Sequence, residues 1–518
     1  IMYSSSLAKD LNKAKKFSLN GNTDEAFAIY NNILKKFPKN QTALKQIQNL
    51  HSRSNEQEQI NIINYYNSGN FFKGIEECNR LIKVYPRDPI LLNFMGALNG
   101  AIGKLIDAEL YYFQSIEIDD TDSTTWSNLA TVQLSLKKYK DSKNSCIKSI
   151  QLNKNNSEAL NNLGNIYLEL NQKDKALKAF EKSINLNPDS HVTYINLGNL
   201  YQKLKEYKKA IYHTQKSLSI HKTCEGFYNL GCAYRDIGSF DLAISNYCES
   251  IKLNIKDGKA FKALMELVLQ IGYWKKFQNE FINYINLNNH KTEIYFYSIY
   301  NIIYTFIIGD FETAKIELEK INSYFNQCIL SDIHEEKDRI FLRAYYKLMS
   351  RMINYNYHNN FEKISSCEKI FHLGESHSLA FANCKIQLKD KLFQVEPLIT
   401  FGLKAWHLSQ NTQNRFKSIF TQKFKSIPDN SKVMISIGEI DCRENEGIIY
   451  NHLKTGQDIK NIIERTLTGY IDFVKELIDQ KNLEAFFLSV PAPVLETTKT
   501  YNRSKLKNQE LRAQVVKT

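Results

Sequence analysis

The sequence contains no run of eighteen uncharged apolar residues, which is about the minimum for a membrane-spanning helix. The most apolar stretch, residues 294–311, is rich in tyrosine and flanked by charges, so we expect a buried helix there. Residues 1–16 lack the continuous apolar core of a secretory signal. These absences predict a cytoplasmic protein without a membrane span.

Cysteine pairs and metal-binding spacings are also missing. The nine cysteines are scattered singly, without a C-x-x-C pair and without histidines at the spacing of a zinc site. We therefore expect reduced, mostly buried thiols. We expect neither a metal site nor a cofactor.

The formal net charge of +13 at pH 7 is the feature that could indicate nucleic-acid binding. Arginine is sparse, however, and lysine alternates with glutamate in segments such as 178–183 and 315–320, as on the solvated faces of helices. We expect no nucleic-acid partner. With 518 residues, 43% of them hydrophobic, the chain is long enough for two or three domains with buried cores.

A pattern of about 34 residues recurs in the first half of the chain. Segments 159–190, 193–222 and 226–254 each contain a small residue, a tyrosine one turn later and a second small residue in the next helical stretch. These positions are Gly164, Gly198 and Gly231, then Tyr167, Tyr201 and Tyr234, then Ala176, Ala210 and Ala243. Antiparallel helices approach closely only where side chains are this small, and we expect the tyrosine ring to fill the groove.

This pattern resembles the tetratricopeptide repeat, a helix pair that stacks into a superhelix with a concave inner wall. About seven repeats cover roughly residues 6–290, with an additional helix at 43–53 and a final cap in which Met265 stands at the glycine position. We assign residues 1–290 to this all-α superhelix and expect it to bind a protein. Residues 291–364 keep helical spacing without the repeat and are predicted to form a helical bridge.

Asparagines recur at two positions of the first helix of each repeat. They are Asn128, Asn162, Asn196 and Asn229, two residues before the small residue, and Asn165 and Asn199 one turn later. The row resembles the asparagine ladder in the superhelix of the O-linked N-acetylglucosamine transferase, which implies that it grips the backbone of an extended polypeptide. An amide offers a donor and an acceptor to any peptide group. The alternative is that these are solvated positions in an asparagine-rich protein.

Residues 365–518 have a different pattern. Apolar runs alternate with amphipathic stretches; the runs are 367–376, 392–402, 432–441 and 483–494, and the stretches are 414–424 and 458–480. This alternation predicts a parallel sheet covered on both faces, that is, an α/β/α domain of three layers. Function in such sheets gathers at the carboxyl ends of the strands, where polar motifs at 374–376 and 438–443 stand.

These motifs resemble those of the SGNH, or GDSL, hydrolases, a family of esterases and acetylhydrolases. Gly374-Glu375-Ser376 stands where the family has Gly-Asp-Ser, and Gly438-Glu439-Ile440-Asp441 where it has Gly-x-Asn-Asp. The resemblance implies that Ser376 is the nucleophile and that Gly402 and Gly438 help to hold the oxyanion. Glu439, Asp441 and Arg443 would form a charged cluster in the same pocket. The implied substrate is an acylated carbohydrate or a small ester.

Two departures from the family pattern count against catalysis. Ile440 stands where an oxyanion-binding asparagine belongs, a loss that typically costs about 10²–10³ in rate, and no histidine follows His452 to act as the late base. Either the domain continues beyond Thr518 or it has kept the fold and lost the chemistry. Two interpretations therefore stay open: a repeat protein with a serine esterase, and an interaction scaffold with an inactive hydrolase-like tail. His377 is expected to have a structural or substrate-contact role, and His407 is expected to be a satisfied surface histidine and not a catalyst.

Overall fold

The structure is a computed structural model. It describes residues 2–488 except 20–22, 51–52, 86, 257, 289–290, 327–332, 334, 359–366, 389 and 438–446. The chain divides into two compact units, Ile1–Leu200 and Tyr201–Thr518. No helix in the described part is both long enough and apolar enough to cross a membrane.

Helices make up nearly all of the described chain before residue 359. They are α1 (Met2–Leu19), α2 (Thr23–Lys36), α3 (Gln41–Leu50), α4 (Glu56–Asn67), α5 (Phe71–Val84), α6 (Pro89–Ala101), α7 (Leu105–Ile118), α8 (Ser123–Ser135), α9 (Tyr139–Leu152), α10 (Ser157–Glu169), α11 (Lys173–Leu186), α12 (His191–Lys203), α13 (Tyr207–Ile220), α14 (Cys224–Asp236), α15 (Phe240–Leu253), α16 (Gly258–Gln270), α17 (Trp274–Asn288), α18 (Lys291–Ile307), α19 (Phe311–Asn326) and α20 (Glu336–His358). Helix α3 overlaps the additional helix expected at 43–53, and helices α18 to α20 lie within residues 291–364.

Helix starts recur with the repeat. The side chains of Asp88, Asp122 and Asn156 precede α6, α8 and α10, and each accepts a hydrogen bond from a backbone N–H of the first helical turn. Such capping satisfies donors that a helix start otherwise leaves unpaired. The capping residues therefore recur with the same period as the apolar positions.

Glycines bring the two helices of a repeat together, as expected, but a different ring fills the space. A Cβ added at Gly164 would lie 2.5 Å from the ring of Phe180, and one added at Gly96 would lie 2.6 Å from the ring of Tyr112. Both rings belong to the second helix of the pair and are buried. The contact is thus glycine against an aromatic ring of the opposite helix.

The expectation that Tyr167 fills the groove between the two helices of its repeat was wrong. Its side chain is half-buried, and the ammonium groups of Lys143 and Lys175 lie 5.7 and 5.8 Å from its ring centre. The space beside Gly164 is already taken by Phe180 of the facing helix, so the Tyr167 ring does not enter it.

The remaining part of the chain contains a five-stranded sheet. The strands are β1 (Glu368–Gly374), β2 (Lys385–Leu388), β3 (Lys391–Ile399), β4 (Lys432–Ser436) and β5 (Glu484–Phe487), in the order β2-β3-β1-β4-β5. Strands β3, β1, β4 and β5 are parallel, whereas β2 pairs antiparallel with β3. The expectation of a purely parallel sheet was wrong at this edge, because a four-residue strand folds back onto β3 through a short turn.

Helices α21 (Ala405–Ser409), α22 (Arg415–Lys425), α23 (Gly447–Thr455) and α24 (Ile459–Lys481), and a 3-10 helix at Ser376–Phe381, accompany the sheet. On one face, Phe371 and Leu373 of β1 share a core with residues of α22 and α24, including Phe424 and Val474. A second core joins Ile419 of α22 and other residues of this part to helices α14 to α20. Within the unit Tyr201–Thr518, this second core connects the sheet, through Ile399 of β3, with the preceding helices.

The glycine–ring contact predicts that Gly164→Leu is destabilising. The new side chain would have to displace the Phe180 ring, and overpacking of this kind typically costs about 1–3 kcal/mol. Thermal unfolding followed by circular dichroism measures the loss. Gly100→Ala is the matched control, because its added Cβ would meet its nearest neighbours at an ordinary 3.9 Å. Equal melting temperatures for Gly164→Leu and the control would contradict the account.

Candidate functional site

The carboxyl ends of three strands meet at one edge of the sheet. Gly374, the last residue of β1, is in register with Ile399 of β3 and with Ser436 of β4. The Thr400 N–H, just after β3, donates to the carbonyl of Gly374 over 2.8 Å. The chain therefore leaves β1, β3 and β4 at the same edge of the sheet.

The structure describes some of the predicted site residues and not others. Ser376 begins the 3-10 helix directly after β1, and its side chain lies outside the described part. Gly402 stands in the turn after β3 with a positive φ of 70°, a conformation that favours glycine. Gly438, Glu439, Asp441 and Arg443 lie outside the described residues.

A group of polar side chains, missed in the sequence, lies beneath this edge. The His372 Nε2 atom is 2.8 Å from the Ser436 hydroxyl, and the Ser378 hydroxyl donates to the carbonyl of Glu375. A Cβ added at Gly374 would lie 2.6 Å from the Ser436 oxygen and 2.8 Å from the Ser378 oxygen. Only glycine leaves room for both hydroxyl groups.

His372 is fully buried. Its Nδ1 atom has no hydrogen-bond partner among the described residues, and its ring lies edge-on to Phe381 at 5.2 Å. Burial lowers the pKa of His372 to about 4, so the imidazole is neutral at pH 7. A neutral imidazole can either donate to or accept from Ser436, which suits it to fix the orientation of that hydroxyl group.

The second candidate site is the asparagine row in the unit Ile1–Leu200. The amide of Asn162 donates to the Thr131 hydroxyl over 2.8 Å, and that of Asn196 donates to the Asn161 side chain over 2.8 Å. The amide of Asn128 donates to Asn93 over 3.2 Å. Each of these bonds joins the first helices of successive repeats, so these amides also hold neighbouring repeats together.

The later asparagines differ from this row. Asn165 and Asn199 are half-buried, and their side-chain amides make no hydrogen bond to another described residue. In the other unit, the Asn229 Nδ2 atom is shielded from solvent and has no acceptor among the described residues. Asn165 and Asn199 are therefore the amides most available to a ligand.

Sequence signals for the missed residues were weak. His372 alternates with Phe371 and Leu373 in β1, which identifies its face but not its partner, because Ser436 is 64 residues away. Asn93 stands one repeat before Asn128, and only the periodicity would have indicated it. Nothing in the described part brings three metal-ligating His, Cys, Asp or Glu side chains together.

Comparison with known proteins identifies the repeats. Family models described as tetratricopeptide repeat match residues 7–40, 157–190, 191–224 and 225–255. Tetratricopeptide repeats are thus present in this chain, as the sequence pattern indicated. No curated protein matches the chain.

Several solved structures are similar to the helical part. A thermophilic tetratricopeptide repeat protein of Thermus thermophilus is 18% identical, with 35% of this chain and 99% of that chain covered and a TM-score of 0.33. The pilF protein of Pseudomonas aeruginosa is 16% identical, with 41% and 96% covered and a TM-score of 0.35. YrrB, described as a repeat protein with an unusual peptide-binding site, is 19% identical, with 36% and 96% covered and a TM-score of 0.27.

The buried His372 predicts a pH dependence of stability. The folded state keeps the imidazole neutral, whereas the unfolded chain binds a proton near pH 6.5. The stabilisation is therefore fully present above that pH and is lost as the pH falls towards about 4. We expect His372→Gln to flatten this dependence by up to about 3 kcal/mol.

Chemical denaturation between pH 4 and pH 7 measures the slope. His407, whose pKa burial and neighbouring cations lower to about 3, adds a slope of the same sign to both proteins and drops out of the difference. The exposed His221 provides the control variant His221→Gln. Identical slopes in wild type and His372→Gln would disprove the prediction.

Proposed function

We propose that the protein is an interaction scaffold whose repeats bind an extended polypeptide through Asn128, Asn162, Asn165, Asn196, Asn199 and Asn229. The observation that supports it is that the side-chain amides of Asn165 and Asn199 make no hydrogen bond within the described part of the chain. Half-buried amides of this kind gain two bonds from a passing peptide group and lose little by binding it. Residues 1–290 form the binding domain in this proposal, and residues 291–364 connect it to residues 365–518.

The Asn–peptide proposal predicts different outcomes for two pairs of substitutions. Asn165→Ala combined with Asn199→Ala should weaken peptide binding roughly tenfold, because up to two hydrogen bonds are lost, and should leave the melting temperature unchanged. Asn162→Ala combined with Asn196→Ala should also lower the melting temperature, because these amides bond to the preceding repeat.

The probe is a fluorescent peptide selected from a random library on the immobilised protein, and fluorescence anisotropy gives its affinity. Asn144→Ala is the matched control, since Asn144 is an exposed asparagine of α9. Unchanged affinity of the Asn165 and Asn199 double variant, relative to this control, would remove the basis of the proposal.

A second candidate function, an ester site in residues 365–518, is favoured by the meeting of β1, β3 and β4 at one edge. In this proposal the domain has the α/β/α arrangement of the SGNH hydrolases, Ser376 attacks an acylated carbohydrate or small ester, and Gly402 and Gly438 hold the oxyanion. The parallel strands β3-β1-β4-β5 follow the order of flavodoxin-like sheets, which supports the fold. Glu439, Asp441 and Arg443 would line the pocket.

For the chain of 518 residues we expect binding without turnover. Ile440 replaces an oxyanion donor and no histidine follows His452, so hydrolysis of p-nitrophenyl acetate should not exceed that of the Ser376→Ala variant. Labelling with a serine-reactive fluorophosphonate, followed by mass spectrometry of the labelled peptide, is the complementary measurement. Turnover or labelling that Ser376→Ala abolishes would establish the hydrolase and refute the inactive tail.

A further inference from the structure

Four cations from separate segments gather in the unit Tyr201–Thr518. Lys205 lies in the turn before α13 and Arg235 lies on α14, whereas Lys404 precedes α21 and Arg415 begins α22. We call these four residues the cationic cluster. Two come from the repeat helices and two from the loop that follows β3.

Aromatic side chains fix the geometry of the cluster. The Lys205 ammonium lies 4.9 Å from the centre of the Trp406 ring, and the Arg415 guanidinium lies 4.5 Å from the ring of Phe416. The imidazole of His407 stacks on Phe416 at 3.9 Å with an interplanar angle of 12°. These planar contacts leave the cations aligned along aromatic faces.

The imidazole of His407 is exposed to the positive charges of three members of the cluster. Burial lowers the pKa of His407 to about 3, and the charges of Lys404, Arg415 and Lys205 contribute in the same direction. His407 is therefore neutral at pH 7 and adds no charge of its own. The ring contacts connect two members of the cluster through this imidazole: Trp406, which carries the Lys205 ammonium, lies edge-on to His407 at 5.6 Å, and Phe416, which carries the Arg415 guanidinium, stacks on it.

Arg415 differs from Arg235 in having no carboxylate partner among the described residues. Arg235 donates to Asp236 through two nitrogens, at 3.1 and 3.0 Å, and Gln202 donates to the other oxygen of Asp236. No carboxylate of a described residue lies within 4 Å of the Arg415 guanidinium. Asp236 is thus occupied by Arg235 and Gln202.

The charges around Arg415 include a second guanidinium, that of Arg235. Burial lowers the pKa of Arg415, and the charge of Arg235 lowers it further, while Glu266, Asp236 and Tyr247 oppose the shift. A half-buried guanidinium without a carboxylate partner is costly to keep, and a second positive charge in its surroundings adds to that cost. An oxyanion would accept charge-assisted hydrogen bonds from both groups.

We propose that the cationic cluster is a binding site for the phosphate-type anionic group of a small molecule, with Arg415 as its principal donor and Trp406 as an aromatic wall. Guanidinium forks match the oxygens of phosphate in pairs, and ammonium groups add charge without fixed geometry. The site stands on the unit Tyr201–Thr518 alone, whereas Asn165 and Asn199, whose substitution tests the peptide proposal, belong to the unit Ile1–Leu200, so the two proposals can fail separately.

The test uses the full chain and inorganic phosphate, pyrophosphate and adenosine monophosphate, each compared with chloride at equal ionic strength. We expect saturable changes in tryptophan fluorescence and a rise in melting temperature. A response to inorganic phosphate would assign the site to the free ion, and a response to adenosine monophosphate alone would assign it to a phosphate ester. No saturable response to any of the three would overturn the proposal.

Variants identify the site. Arg415→Gln should weaken binding roughly tenfold, and Arg415→Lys should retain part of it, which separates charge from packing if Arg415→Gln folds poorly. Trp406→Phe should lose the fluorescence change and keep the thermal shift, because Trp126 and Trp274 lie elsewhere. The exposed Lys275 gives the control Lys275→Gln. Equal loss in Lys275→Gln and Arg415→Gln would mean nonspecific charge attraction and would overturn the proposal.

Discussion

Close contact between a glycine and an aromatic ring of the facing helix is the interaction on which the rest of the fold depends. It recurs at Gly231, where an added Cβ would lie 2.7 Å from the ring of Tyr247. Where the small residue is Ala130, the facing position holds the smaller Cys146, and both are fully buried. A larger residue on the first helix is thus accompanied by a smaller residue on the facing helix.

This packing also sets what the repeats offer to a ligand. Because the helices of a pair are locked through their small residues, the first helices present the same positions repeat after repeat. Asn162 and Asn196 use that regularity to bond with the preceding repeat. Asn165 and Asn199 use no bond of this kind, and they carry the proposed contact with a peptide backbone.

The sequence predicted features that depend on short-range periodicity. The helix pairs, the additional helix α3, the parallel strands and the break after β1 were all readable from apolar spacing and from Gly374. Features that depend on distant contacts were not. Strand β2 has only four residues, His372 and Ser436 are 64 residues apart, and the partner of Gly164 is a ring on another helix.

The central claim is that an extended polypeptide lies along the first helices of the repeats in the unit Ile1–Leu200. Hydrogen–deuterium exchange by mass spectrometry, with and without a selected peptide, tests it most directly. The account predicts slower exchange on binding in peptides that cover α8, α10 and α12. Protection confined to α9 and α11, or to the strands of residues 367–488, would contradict it.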